Sequence, residues 1–146
     1  IRKALSRASI PGRMETRDGM IIDGAHNPLK IGALAIALGD HFPNKIFETL
    51  FAVKGDKNCA EMVRLLAPHV SHWHLTTLEA QTDWGRGMML PLNTLGSIVR
   101  KTDPDKPINL VSNIADFLAN APSPLLITGS LYLVGAALEL LSGSRI

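Results

Sequence analysis

Short apolar runs alternate with amphipathic stretches along this 146-residue chain, and this alternation restricts the possible folds more than any other feature. Runs of four to eight apolar residues are typical of buried strands, and the stretches between them carry apolar residues at helical spacing. Strands and helices in alternation predict an α/β fold, with a mostly parallel sheet and helices on both faces. Such a sheet binds ligands at the carboxyl ends of its strands.

The pattern predicts the position of each element. Strands are predicted at 20–22, 46–53, 70–77, 108–111 and 125–128. Helices are predicted at 29–38, where Gly39 would end the first of them, then from Asn58 to Pro68, and at 91–101, 114–121 and 131–141. Asn27 and Asn58 are the predicted capping residues. The polar loops that leave strands, at 23–28, 54–58 and 129–130, are therefore the candidate ligand-binding segments.

The composition excludes several classes of protein. With 46% hydrophobic and 19% charged residues, the chain can bury a core, and its length fits one domain better than two. The net charge is +2 without a basic block, so no nucleic-acid partner is expected. A single cysteine, Cys59, excludes an intramolecular disulfide and suits a reducing, cytoplasmic compartment. No apolar run approaches the roughly 20 residues of a transmembrane helix, so no membrane partner is expected.

The loop at 23–28 reads Asp-Gly-Ala-His-Asn-Pro and directly follows a predicted strand. Asp23 would therefore lie at the ligand edge, where a carboxylate can accept both hydroxyls of a ribose. Gly24 lets a ligand approach the backbone, and His26 precedes a helix start, which favours anions. In the alternative interpretation, Asp23 and Asn27 only cap the helix and His26 is solvated. Spacing alone does not separate these two interpretations.

Four strings in this chain resemble segments of the folylpolyglutamate synthase and dihydrofolate synthase family of the Mur ligase superfamily. They occur along the chain in the same order as in the family. They are DGAHNP at 23–28, PGRME at 11–15, KGDKN at 54–58 and TGSLYLV at 128–134. The resemblance implies a Rossmann-like Mur ligase C-terminal domain over residues 1–146, without the N-terminal ATPase domain. The start at Ile1, which is not Met and reads as the end of a helix, agrees with a fragment of a longer enzyme.

The resemblance also implies a reaction. In the family, ATP phosphorylates a carboxylate of folate or dihydropteroate, and the amine of L-glutamate attacks the acyl phosphate. Arg13 and Asp23 would contact ATP. His26 and Lys57 would be catalytic: His26 lies close to glutamate, and Lys57 holds a glutamate carboxylate. Ser130 would hydrogen-bond the same amino acid. The absent N-terminal domain would carry the triphosphate loop and hold most of the Mg²⁺ ligands, so no metal ligand is predicted here. A monomer is expected.

The chain departs from the family at several positions. Asn58 stands where the family often has Asp, the hairpin through 17–19 is tight, and residues 79–90, which include Trp84 and Arg86, match no family segment. Two other functions stay open: a Mur-type ligase that adds an amino acid to a peptidoglycan precursor, and a nucleotide- or amino-acid-binding module without catalysis. The sequence does not separate dihydrofolate synthase from folylpolyglutamate synthase activity.

Other polar or reactive residues are interpreted as structural. His72 and His74 are two apart on a predicted strand and show no metal spacing with acids or cysteines, so they are interpreted as a polar strand face. Cys59 begins a predicted helix, where the pKa of a thiol can fall, although a packed residue is the favoured interpretation. Met88 and Met89 are interpreted as core or interface residues.

Overall fold

A single six-stranded sheet organises the computed structural model, which describes residues 12–79 and 88–143. Its strands are β1 (Glu15–Arg17), β2 (Met20–Ile22), β3 (Phe47–Phe51), β4 (Val70–Leu75), β5 (Ile108–Leu110) and β6 (Leu125–Thr128). The strand order is β1-β2-β6-β3-β4-β5, and every pair is parallel except β1 with β2. The predicted, mostly parallel sheet is confirmed. The predictions for Ile1, Trp84 and Arg86 fall outside the described residues.

Helices cover both faces of the sheet, as predicted. They are α1 (Pro28–His41), α2 (Cys59–Leu66), α3 (Leu92–Thr102), α4 (Ile114–Ala119) and α5 (Leu131–Gly143). Helices α1, α2 and α3 share one buried cluster with Phe47 and Phe51 of β3, whereas α4 and α5 pack around Leu50 of the same strand. Successive side chains of a strand point to opposite faces, so β3 supplies both cores. None of these helices is long and apolar enough to cross a membrane.

The two predicted asparagine caps are confirmed. The side chain of Asn27 accepts a hydrogen bond from the Lys30 amide at 2.8 Å, and Pro28 occupies the first helical position. Asn58 accepts from the Glu61 amide at 3.2 Å. Each bond satisfies one of the amides that a helix start leaves unpaired. These caps position the loops that precede α1 and α2, which are two of the candidate ligand-binding segments.

The prediction that Gly39 ends the first helix was wrong. Helix α1 continues through Gly39 to His41, and the Phe42 amide still donates to the Leu38 carbonyl at 2.9 Å. A glycine inside a helix costs about 1 kcal/mol relative to alanine. Burial of Leu38, which is fully inaccessible, offsets that cost. The helix ends just before Pro43, which has no amide hydrogen to donate.

The predicted tight hairpin between β1 and β2 is confirmed. Arg17 pairs with Met20, and the two residues between them, Asp18 and Gly19, have φ angles of 49° and 80°. Positive φ at both central residues is the mark of a type I′ turn, whose twist matches that of the flanking strands. The hairpin returns the chain beside β2, so residues 12–14 lie next to the loop that follows β2.

Cys59 is expected to be unreactive in the native protein. It is buried at the start of α2, and burial raises the pKa of its thiol to about 12. Desolvation therefore outweighs any lowering by the helix N-terminus. At about pH 8, where an ordinary thiol of pKa about 8.5 is partly ionised, Ellman's reagent should leave the native protein unmodified. One thiol should react after denaturation, and rapid modification of the native protein would contradict the assignment.

Candidate active site

The candidate ligand-binding loops leave three strands that are neighbours in the sheet. Residues 23–28 follow β2, residues 129–130 follow β6, and residues 54–58 follow β3. The Gly129 amide donates to the Ala25 carbonyl at 3.0 Å, which joins two of the loops directly. Because the strands are parallel, all three loops lie at one edge of the sheet. Two cavities open among them.

The first cavity has a volume of about 480 Å³ and lies between residues 12–14, the loop after β2 and helix α1. Arg13, Asp23 and His26 line it, as does Lys30 from the first turn of α1. An apolar wall completes it, formed by Ala33, Leu34 and Ala37 of α1 together with Met14, Ala25 and Leu131. The lining thus combines charged side chains, those of Arg13, Lys30 and Asp23, with an apolar wall.

Asp23 ties two segments of this cavity together. One carboxylate oxygen accepts from the Met14 amide at 3.0 Å and the other accepts from the Ala25 amide at 2.8 Å. The side chain does not cap α1, since Asn27 does so, and the interpretation of Asp23 as a helix cap is therefore wrong. Both bonds are made while the residue is only 8% exposed. Each oxygen keeps a second lone pair that can accept from a ligand.

His26 lies at the boundary of the first cavity and a second one, and lines both. Its Nδ1 is 2.9 Å from the Gly24 carbonyl oxygen. A carbonyl only accepts hydrogen bonds, so Nδ1 carries the hydrogen. In the neutral ring, Nε2 then holds the lone pair and can accept a proton. The backbone of the loop therefore sets the tautomer of the histidine.

The second cavity has a volume of about 420 Å³ and is lined by His26, Lys54, Lys57, Gly129, Ser130, Leu131 and Tyr132. Two of these residues are lysines, and none carries a carboxylate. The Lys54 ammonium lies 5.5 Å from the centre of the Tyr132 ring, while Lys57 is 4.0 Å from the carboxylate of Asp56. A concave surface with two ammonium groups favours an anionic ligand.

Ser130 is buried at the start of α5. Its hydroxyl oxygen accepts from the Tyr132 amide at 3.1 Å and the Leu133 amide at 3.4 Å, which is the bonding of a helix cap. Its oxygen also lies 3.8 Å from the sulfur of Met89, a residue that is buried whereas Met88 is exposed. Capping accounts for these contacts of Ser130, and its hydrogen bond to an amino acid stays a prediction.

Comparison with known proteins finds no match among protein-family models and none among curated sequences, whereas solved structures are similar. The folylpolyglutamate synthase from Thermotoga maritima matches with a TM-score of 0.82 and 23% identity, over 98% of this chain and 33% of that one. The Mycobacterium tuberculosis folylpolyglutamate synthase complexed with ADP and AMPPCP matches with a TM-score of 0.74 and 25% identity, over 95% and 34%. The fold of this chain is therefore similar to that of about one third of a folylpolyglutamate synthase.

A third solved structure also has this fold. The bifunctional folylpolyglutamate synthase/dihydrofolate synthase with Mn, AMPPNP and L-glutamate bound matches with a TM-score of 0.68 and 22% identity. This chain covers 34% of the length of that synthase. The chain thus spans about one third of the length of the synthases that it matches. The resemblance predicted from the four strings is confirmed.

The structure brings all five predicted site residues of this chain to one edge of the sheet: Arg13, Asp23, His26, Lys57 and Ser130. Sequence reasoning missed the role of three other lining residues. Lys30 follows the DGAHNP string by two positions, and Leu131 and Tyr132 belong to the TGSLYLV string. The available signal was the membership of Leu131 and Tyr132 in that string and the closeness of Lys30 to the other. Leu131 lines both cavities, a position that no spacing in the sequence indicates.

Proposed function

We propose that this chain is the C-terminal domain of an ATP-dependent ligase that adds glutamate to folate or dihydropteroate through an acyl phosphate. The observation that carries the proposal is the pair of adjacent cavities, one lined by Arg13 and Asp23 and the other by Lys57, with His26 between them. The fold similarity to folylpolyglutamate synthases supports the same reaction. In this proposal the chain supplies part of the ATP site and part of the glutamate site.

The first cavity is the proposed nucleotide side. Its apolar wall fits a base, and the cations Arg13 and Lys30 fit phosphate groups. The free lone pairs of Asp23 can accept from ribose hydroxyls. Asp23 is the one carboxylate among the lining residues of both cavities, and each of its oxygens already accepts a backbone amide, so these residues by themselves offer few ligands for Mg²⁺. Mg²⁺ and the triphosphate loop are therefore assigned to the remainder of the ligase.

The second cavity is the proposed glutamate side. Glutamate brings two carboxylates, and Lys57 can hold one of them without blocking the amine. The Lys57 loop leads directly into α2, whose N-terminus adds a favourable field for an anion. When the amine attacks the acyl phosphate, the carbon–nitrogen bond forms, phosphate leaves and the amine loses a proton. His26 Nε2, whose lone pair is set by the bond to Gly24, can accept that proton.

The activity test uses the complete ligase to which this domain is proposed to belong. We expect ADP release that requires both L-glutamate and an acceptor, with dihydropteroate and folate compared in parallel. A Mur-type ligase would instead require a peptidoglycan precursor, and a binding module would release no ADP. The 146-residue chain alone is expected to form no amide, because it has no triphosphate-binding sequence. Amide formation by that chain would contradict the division of the site between domains.

Replacement of Asp23 by alanine in the complete ligase is expected to raise the KM for ATP by about ten- to a hundred-fold. The loss of a hydrogen bond to a charged group costs about 1.5–3 kcal/mol. The KM for glutamate should change much less, since Asp23 lines only the first cavity. Steady-state kinetics with ATP varied at saturating glutamate measures the effect, and the exposed Asp40 of α1, replaced by alanine, is the control.

Asp23 also holds the Met14 and Ala25 amides, so its loss can alter the loop itself. The Asp23→Asn variant separates the two effects, because its amide oxygen still accepts a backbone bond while the charge is lost. Because its amide nitrogen cannot accept the second backbone bond, we expect Asp23→Asn to recover part of the thermal stability and a smaller part of the ATP affinity. An unchanged KM for ATP in both variants would show that Asp23 only holds the loop in place and does not bind ATP.

A further inference from the structure

A cluster of two histidines and one glutamate lies away from both cavities. His72 and His74 are on β4, and Glu48 is on the neighbouring strand β3, where it pairs in register with His72. The potential ligand atoms of the three side chains all lie within 4.8 Å of one another. The sequence alone showed no sign of a metal site at the two histidines, because Glu48 precedes His72 by 24 positions and comes close to it only when the two strands pair.

The side chains are already close to the arrangement that a metal ion requires. Glu48 Oε1 is 3.0 Å from His74 Nε2 and 3.7 Å from His72 Nδ1. Ligands bound to a tetrahedral zinc ion at about 2.1 Å are separated by about 3.4 Å. The imidazole rings stack with centroids 4.2 Å apart and an interplanar angle of 8°, so both rings present an edge to the same carboxylate. The separation of Glu48 from His74 is shorter than that ligand spacing, and its separation from His72 is slightly longer.

Asn109 is placed to give His74 the support that metal-binding histidines usually have once its carboxamide is turned over. Its Nδ1 lies 3.0 Å from the side-chain amide of Asn109 on β5, and the Phe117 ring of α4 packs against it with centroids 4.8 Å apart. Rotation of the Asn109 carboxamide by 180° turns its oxygen to the imidazole, where it accepts from Nδ1–H and leaves Nε2 free to bind.

The cluster is open on one side. The side chain of His74 is 7% exposed, whereas those of His72 and Glu48 are 31% and 29% exposed. An ion can therefore enter from solvent and keep a water molecule as a fourth ligand. Glu48 is the second residue of β3, so the cluster lies toward the amino end of that strand, and none of its residues lines the cavities at the carboxyl edge.

We propose that Glu48, His72 and His74 form a binding site for a divalent transition-metal ion, with Zn²⁺ as the best-fitting member. Two imidazoles and a carboxylate suit zinc and its neighbours, whereas Mg²⁺ and Ca²⁺ prefer ligand sets made of oxygen atoms. Asn109 is a positioning residue that orients His74. The site is separate from the proposed ligase reaction and does not depend on it. If no ion binds, the cluster is a hydrogen-bonded polar face of the two strands.

The test is zinc binding by the purified, chelator-treated protein, measured by calorimetry, with Co²⁺ absorption as a report on coordination geometry. We expect one saturable site. His72→Ala and Glu48→Gln should each weaken binding by at least about a hundred-fold, and Asn109→Ala by about ten- to a hundred-fold. The exposed His41, at the end of α1, provides the control, and His41→Ala should leave zinc affinity unchanged.

Defined results with these variants would contradict the proposed zinc site. Both His72 and Glu48 are partly exposed, so their replacement should preserve the circular dichroism spectrum and thermal stability of the metal-free protein. Wild-type protein without saturable zinc binding would overturn the site. Binding that survives both His72→Ala and Glu48→Gln, or that is weakened equally by His41→Ala, would also overturn it, because the ion would then be held elsewhere on the protein.

Discussion

Replacement of Gly129 by alanine is expected to destabilise the protein by about 3 kcal/mol or more, since it combines backbone strain with overpacking. The φ angle of Gly129 is +106°, and a Cβ there would stand 2.3 Å from the Ala52 carbonyl oxygen and 2.7 Å from the Phe51 ring. The obstacle is mainly backbone, and the Gly129 amide is itself bonded to the Ala25 carbonyl at 3.0 Å. Neither the Ala52 carbonyl nor the Gly129 backbone can move away without disturbing the edge of the sheet at which the cavities lie.

The chain offers a matched control for this substitution. Gly135 lies on the exposed side of α5, and a Cβ there would have nothing within 4 Å. Gly135→Ala should therefore stabilise the protein by up to about 1 kcal/mol, because alanine has the higher helix propensity. Denaturant midpoints of the two variants measure both effects. If the two denaturant midpoints shifted by equal amounts or in the same direction, the contacts at position 129 would not explain why glycine is needed there.

Replacement of Lys57 by alanine in the complete ligase is expected to raise the KM for glutamate by about ten- to a hundred-fold, with the KM for ATP nearly unchanged. Loss of a hydrogen bond to a charged group costs about 1.5–3 kcal/mol. Lys57 lines the second cavity and not the first, so the effect should be confined to the amino acid. Kinetics with glutamate varied at saturating ATP and acceptor measure it.

Two further variants sharpen the test of Lys57. Lys57→Arg should restore only part of the glutamate affinity, since a planar guanidinium does not place its donors where an ammonium does. Lys101, in the last turn of α3, is the control, and Lys101→Ala should leave both constants unchanged. A normal KM for glutamate in Lys57→Ala would reject the assignment and transfer it to Lys54, whose ammonium lies over Tyr132 in the same cavity.

Much of the fold could be predicted because its signals are local. The alternation of apolar runs and amphipathic stretches indicated the parallel sheet, and Asn27 and Asn58 cap the helices as predicted. The Asp18-Gly19 pair likewise forms the expected tight turn. The end of α1 was misplaced because glycine propensity is a weak preference, and burial of Leu38 overrides it. The caps and the turn depended on residues within a few positions of one another, and the sheet on the order of such local elements along the chain.

The candidate site was predictable to the level of its loops. Parallel strands must present their carboxyl ends at one edge, so the loops carrying Asp23, Lys57 and Ser130 were expected there. The order of the strands decides which loops touch, and no local pattern encodes it. Placement of β6 between β2 and β3 sets Gly129 against Ala25 and brings His26 to the lining of both cavities.

By itself, the sequence determined the kinds of element, their caps, the family resemblance and the segments that carry polar side chains. Only the tertiary structure decided the partners of those side chains. Asp23 braces Met14, Ser130 caps α5, and Glu48 joins His72 and His74. The reason is physical: turns and helix starts are governed by interactions within a few residues, whereas these partners meet only after strands distant in the chain have paired and fixed which side chains share a face.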